Sequence, residues 1–229
     1  MKCAIVQPAY LPWRGYFHLI QKSDVFVFFD DVQYTDRDWR NRNRIKTANG
    51  LRWLTIPVHH AGSIERGRPI NEIAIAWEQA WNQKHLATLA QSYSGAPAFR
   101  QYLPRLEELY SRKTPLLADF TIESTIAIAG VLGLGARKFL RSSELGVSGR
   151  KTERLLAILE RVGADHYISG PAAKAYLEEE KLRGAGITLE YMEYDYPPYE
   201  QLYPPYEPAV SILDLLFMEG SRSPQLIWP

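Results

Sequence analysis

The densest run of chemistry-bearing side chains is DDVQYTDRDWRNRNRIK, residues 30 to 46. It holds Asp30, Asp31, Asp36 and Asp38 with Arg37, Arg40, Arg42, Arg44 and Lys46. In an extended segment residues two apart share a side, so Arg40, Arg42, Arg44 and Lys46 share one and Asn41, Asn43 and Ile45 the other. Such a row can grip phosphate or carboxylate, because each planar guanidinium donates two parallel hydrogen bonds. The spacing equally allows a surface ion-pair network with the four aspartates. Further polar groups close short apolar runs: Gln7 follows KCAIV, Asp30 and Asp31 follow VFVFF, Ser142, Ser143 and Glu144 follow KFLR, and Ser169 with Gly170 follow DHYI. In open parallel sheets ligands bind outside the carboxyl ends of the strands, so these positions are expected to converge on one edge. Each taken singly is also the polar end that any buried strand needs.

Weaker constellations offer less. His59 and His60 follow LTIPV without an acid at ligand spacing before Glu65, so no metal site is expected. His18 lies among aromatic residues in an expected helix and reads as a packing residue. Cys3, the only cysteine, begins an apolar run and reads as a buried thiol without chemistry. There is no Gly-rich phosphate loop, no G-x-S-x-G and no spaced His/Cys zinc set. No pattern assigns a cofactor. Six tryptophans and fourteen tyrosines can stack on a sugar or a base, although packing accounts for most of them.

The elements that must position these groups are legible. Residues 2 to 6 and 25 to 29 are short apolar runs rich in β-branched and aromatic residues, as in buried strands, with room for a two-turn helix over 15 to 22. A strand, helix, strand unit favours parallel pairing. LRWLTIPV and INEIAIA are further strand candidates, and helices are expected from about residue 78 to 94, 98 to 111 and 115 to 132. KTERLLAILERVG is amphipathic, with Leu155, Leu159 and Val162 on one face and Gly163 as its C-terminal cap. ITLEYMEY reads as a last strand. YPPYE then occurs twice, at 196 to 200 and 203 to 207, where proline enforces an extended or turn path. The expectation is one α/β domain over 1–229: a predominantly parallel, Rossmann-like sheet flanked by helices, an irregular Pro/Tyr-rich arm at 194–209, and a terminal helix at 210–219.

Composition bounds the partners. The chain has 229 residues, 46% of them hydrophobic, enough for a substantial core. Lys and Arg total 27 against 26 for Asp and Glu, so the net charge of +1 gives no global reason to expect nucleic acid or an acidic membrane. No run reaches the roughly 18 apolar residues that span a bilayer, and Gln7, Pro8 and Arg14 interrupt any signal-like pattern. A cytoplasmic location is expected. Partners are expected to be a small-molecule ligand and a second copy in a homo-oligomer.

QPAYLPWRGYFHLI, FDDVQYTDRDWRNRNRI, LTIPV, YISGPAAKAYL and SILDLLF, five segments in order from residue 1 to about 220, together resemble the WbqC-like proteins. The resemblance implies a bacterial setting, often among genes for O-antigen or other surface polysaccharides, and so a role in making or modifying a cell-surface sugar. It directs attention to Gln7, Pro8, Pro12, Gly15, Tyr16, Asp30, Asp31, Asn41, Arg42, Asn43, Arg44, Ser169, Gly170, Tyr176 and Asp214. The stretch PWRGYFHLI also looks like the strand-to-helix turn of nucleotidylyltransferases. Trp13 and Tyr16 stand here where that motif has its two histidines.

The expected function is acyl or aminoacyl transfer to an amino group of a nucleotide-linked sugar. In this reading Arg42 and Arg44 hold phosphate, with Asn41, Asn43 and Tyr16 beside them. Asp30 or Asp31 acts as base or orients the amine, and Gln7, Ser169 and Gly170 position the substrate. A non-catalytic sugar- or nucleotide-binding protein of a biosynthetic complex, and a nucleotidyl-transfer enzyme without the paired histidines, are the alternatives.

Overall fold

The structure, a computed structural model, describes residues 1–59 and 67–228. His60 and Glu65 lie outside the described residues. The elements run β1 (Lys2–Val6), α1 (Arg14–Lys22), β2 (Val25–Phe28), β3 (Arg42–Thr47), β4 (Gly50–Thr55), β5 (Val58–His59), β6 (Ala74–Ile75), α2 (Trp81–Tyr93), α3 (Phe99–Ser111), α4 (Leu117–Val131), β7 (Lys138–Arg141), α5 (Lys151–Val162), β8 (His166–Ser169), α6 (Glu179–Gly184), β9 (Thr188–Tyr191) and α7 (Ile212–Glu219).

Five strands pair in parallel in the order β7-β2-β1-β8-β9. Numbered among themselves they read 3-2-1-4-5, the Rossmann order. The chain therefore leaves β1 toward β2 and β7 on one side and later returns beside β1 to build β8 and β9 on the other. The switch point falls between β1 and β8.

The strands are short and apolar because both faces are covered, and their alternation sorts side chains into two cores. Ala4, Phe26, Phe28 and Ile168 join one cluster with Phe17 and Ile20 of α1, Phe120 of α4 and Phe217 of α7. Cys3, Ile5, Val25, Val27 and Tyr167 face the other, against Leu155, Ile158 and Leu159 of α5 and Leu182 of α6. Each fully buried Phe contributes roughly 1.5–3 kcal/mol. Gly163 ends α5 in the left-handed conformation with φ 75°, which glycine adopts without penalty.

Three features depart from the sequence reading. LRWLTIPV forms strands as expected, β4 and the start of β5, but outside the parallel sheet: β4 pairs antiparallel with β3 in a separate hairpin whose two-residue turn is Ala48–Asn49. INEIAIA begins with a tight helical turn over Ile70–Glu72, and only Ala74 and Ile75 form a strand, paired with β5. The unforeseen α6 connects β8 to β9, as parallel pairing requires of a crossover.

The Pro/Tyr-rich arm is anchored by a buried carboxylate. Asp214 of α7 accepts from Tyr93 (2.7 Å), Tyr199 (2.8 Å) and Gln201 (2.9 Å). Burial pushes its carboxyl above the ordinary range, against the lowering effect of those donors. Arg14 adds bonds to the carbonyl of Pro197 (3.0 Å) and the hydroxyl of Tyr206 (2.7 Å). Among the described residues no helix is long and apolar enough to cross a membrane.

Candidate functional site

A cavity of about 430 Å³ opens at the carboxyl edge of the sheet, at the β1–β8 switch point. Its floor is the end of β1, Ile5 and Val6, with Tyr167 of β8. Gln7 and Ser169, the residues closing those two strands, present polar groups to it, as does the backbone at Gly170. Trp13 and Tyr16 at the start of α1 form one wall, Lys151 and Leu155 of α5 another, and Tyr176 and Tyr194 close the rim. The Tyr194 ring meets the Trp13 indole edge-on at 4.9 Å between centroids. Tyr176, 66% exposed, is a free aromatic face.

Two cations line this space. Arg40, just before β3, has only 14% of its side chain exposed, and its contacts are long: 3.4 Å to the Pro8 carbonyl and 3.5 Å to Asp38. Its buried Nε has no partner, a condition it shares with the Nε of Arg42 and Arg44, but Arg40 alone of the three lines this cavity. Burial lowers the Arg40 pKa, partly offset by Asp38, and burial raises the Tyr16 phenol, partly offset by Arg40. Such a guanidinium has been taken out of water without good replacement bonds, an arrangement that an incoming anion would complete. Lys151 is the first residue of α5 and sits at φ 51°. Arg150 at the N-cap gives no side-chain oxygen to the first turn, and this 12-residue helix contributes Lys151, its first residue, and Leu155 to the lining. Gly149 makes this approach possible: its φ is 121°, and a Cβ there would stand 3.1 Å from the Arg154 amide.

Asp30 and Asp31 do not line the cavity. Asp30 is fully buried and accepts from the Ser143 amide (3.1 Å), the Ser143 hydroxyl (2.9 Å) and the Ser142 hydroxyl (3.2 Å). Asp31 accepts from Ser142 (2.5 Å) and pairs with Arg154 of α5. The two carboxylates thus tie the end of β2 to the end of β7 and to the first turns of α5. Through Arg154, Asp31 also tethers the helix that carries Lys151.

The RNRNR segment divides by its alternation. Asn43 and Ile45 of β3 are buried; Arg42 and Arg44 share the opposite side with Lys46. Arg42 lies 4.2 Å over the Trp53 ring, and Arg44 lies 5.7 Å from both Trp39 and Trp53 while bonding the Ala209 carbonyl at 3.0 Å. Lys46 is buried beneath the arm and donates to the Pro205 carbonyl. Asn41 bonds the Ile56 carbonyl at 2.9 Å, and Asn43 bonds those of Tyr10 (3.2 Å) and Leu11 (2.7 Å). Gln7, Tyr16, Ser169 and Gly170 therefore meet in one cavity with Arg40, whereas Arg42, Arg44 and Asn41 stand outside it.

Sequence reasoning missed Lys151 and Tyr194. The signal for Lys151 was GVSGRK, a glycine-bearing loop between a strand end and an amphipathic helix. Tyr194 gave no local signal. His59 pairs with Glu78 at 3.4 Å on the surface, and His18 bonds Tyr196 at 2.9 Å. Among the described residues no group of three or more His, Cys, Asp or Glu is placed to hold a metal ion.

Strand order and crevice together define an α/β protein of Rossmann type with a cavity at the switch point. The chain belongs to the WbqC-like protein family, whose model matches residues 7–226. It is 40% identical over 228 residues, 99% of this chain and 97% of the relative, to the uncharacterized protein Rv1507c of Mycobacterium tuberculosis (strain ATCC 25618 / H37Rv). No solved structure matches it.

Proposed function

We propose that this protein binds a nucleotide-linked sugar at the β1–β8 switch point and transfers an acyl or aminoacyl group to an amino group of that sugar, in the biosynthesis of a bacterial cell-surface polysaccharide. The observation that carries the reading is Arg40, a nearly buried guanidinium with poorly satisfied donors, lining the same cavity as Lys151 and the start of α5. Phosphate satisfies such donors better than water does. Trp13, Tyr176 and Tyr194 supply faces for a sugar or base, and Gln7 and Ser169 supply hydrogen bonds that fix its orientation. Membership of the WbqC-like family supports the polysaccharide setting.

A thermal-shift panel of UDP-, GDP-, CMP- and dTDP-sugars tests the binding. A ligand at about 100 times its Kd stabilises by roughly 2.7 kcal/mol, a rise of about 5–10 °C for a chain of this length. Arg40→Gln is expected to abolish the shift and the double variant Arg42→Ala, Arg44→Ala to keep most of it. A silent panel with wild-type protein, or a shift indifferent to Arg40→Gln, counts against the reading.

A non-catalytic binding role is favoured by one observation: among the described residues lining the cavity there is no carboxylate and no imidazole. Incubation with nucleotide-sugar and an acyl donor, followed by mass spectrometry, separates the two. An added acyl mass supports transfer; tight binding with no product supports recognition alone.

A further inference from the structure

We infer that the protein has a second compartment, built to hold a saturated acyl or alkyl group whose anionic or carbonyl head meets Arg40. A chamber of about 320 Å³ adjoins the cavity at the switch point, and the two share Val6, Trp13, Tyr16 and Arg40. Its other walls include Ala9, Pro12, Trp39 and Ala209, so its surface is almost wholly apolar.

The one amide it contains is already committed. Asn43 donates to the carbonyls of Tyr10 and Leu11, and its oxygen accepts from the Arg44 amide at 2.7 Å. A nucleobase placed here would leave its polar edge unpaired, which is costly in an apolar site. An alkyl chain leaves nothing unpaired. At the boundary of the two spaces Arg40 has a buried Nε without a partner. An oxygen at the head of the chain would complete it. As to size, an apolar cavity of roughly 150 Å³ accepts benzene, so this chamber holds about a dozen carbons at the same density.

The inference rests on reading the adjoining cleft as a small-molecule site, and its test separates the two claims. Butanoate, hexanoate, octanoate and dodecanoate are titrated calorimetrically below their micellar concentrations, with octylamine as the cationic control. Affinity should rise about fourfold per methylene through octanoate and level off near dodecanoate, and octylamine should not bind. Ala209→Phe, a change at an exposed rim position, should weaken octanoate at least tenfold and leave the melting shift with nucleotide-sugar in place. Absence of a chain-length trend, or octylamine binding as well as octanoate, overturns the inference. So does loss of the nucleotide-sugar shift in Ala209→Phe with octanoate unaffected, which would assign the chamber to the base. If the carboxylates fail while the nucleotide-sugar still shifts the melt, only this inference falls; if both fail, the reading of the cleft falls with it.

Discussion

Asp30 separates a catalytic from a positioning role. Its carboxylate is fully buried and accepts the Ser143 amide at 3.1 Å and the Ser143 hydroxyl at 2.9 Å, with the Ser142 hydroxyl at 3.2 Å. In Asp30→Ala the Ser142 hydroxyl keeps Asp31, 2.5 Å away, as an acceptor, so the net loss is the two bonds from Ser143. Hydrogen bonds to a charged group contribute about 1.5–3 kcal/mol each; the exposed Ser143 hydroxyl recovers part of its bond in water, so the low end applies and the cost is about 3 kcal/mol. For this chain length that lowers Tm by about 6–12 °C. Asp30→Asn should cost less, about 1 kcal/mol, because its oxygen still serves the Ser143 amide and the Ser143 hydroxyl can turn to accept from the new NH₂. Urea denaturation at pH 7 measures both variants, and nucleotide-sugar binding is measured under conditions where each remains folded. The reasoning fails if Asp30→Asn and Asp30→Ala are as stable as wild type, or if Asp30→Asn keeps its stability and substrate affinity but loses turnover. The second result would make Asp30 a chemical participant.

Three further outcomes are expected. Burial lowers the His85 pKa from 6.5 to about 4, so the unfolded chain takes up this proton first; its contribution is full above pH 6.5 and declines by roughly 3 kcal/mol as pH falls to 4. Urea melts of His85→Gln across that window should show a flatter slope than wild type, and an unchanged slope refutes the assignment. A Cβ at Gly15 would overlap the Trp13 indole, which walls both cavities, so Gly15→Ala should cost about 1–3 kcal/mol and diminish the nucleotide-sugar shift, checked by thermal shift with and without ligand. Cys3 is fully buried and its thiol is pushed up to about 12, so Ellman's reagent at pH 8 should label it only after denaturation; rapid labelling of the folded protein would revive thiol chemistry.

Much of the scaffold was written locally. The runs around Ile5, Val27 and Ile168 were apolar enough to be strands covered on both faces. The stripe at Leu155 and Leu159 with Gly163 behind it specified α5 to the residue at its C-terminus. These features depend on period and composition within about a dozen residues, which a sequence displays directly. The carboxyl-edge rule brought Gln7 and Ser169 to one place because it needs only strand identity and parallel direction. What spacing could not reveal was which member of a charged cluster faces inward. Arg40 and Arg42 are two residues apart and chemically alike. Arg40, before β3, lines the cavity, whereas Arg42, within β3, stacks on Trp53 because the antiparallel pairing with β4 brings that ring alongside. Asp30 was likewise indistinguishable in sequence from an acid lining the cavity, and its place outside the lining goes with its bonds to Ser142 and Ser143, more than a hundred residues away along the chain. Lys151 and Tyr194 reach the cavity from α5 and from the arm, so their proximity exists only once distant segments pack together. Local propensity acts over a turn or a strand, whereas a site is a product of long-range contacts, and only the tertiary structure brings those together.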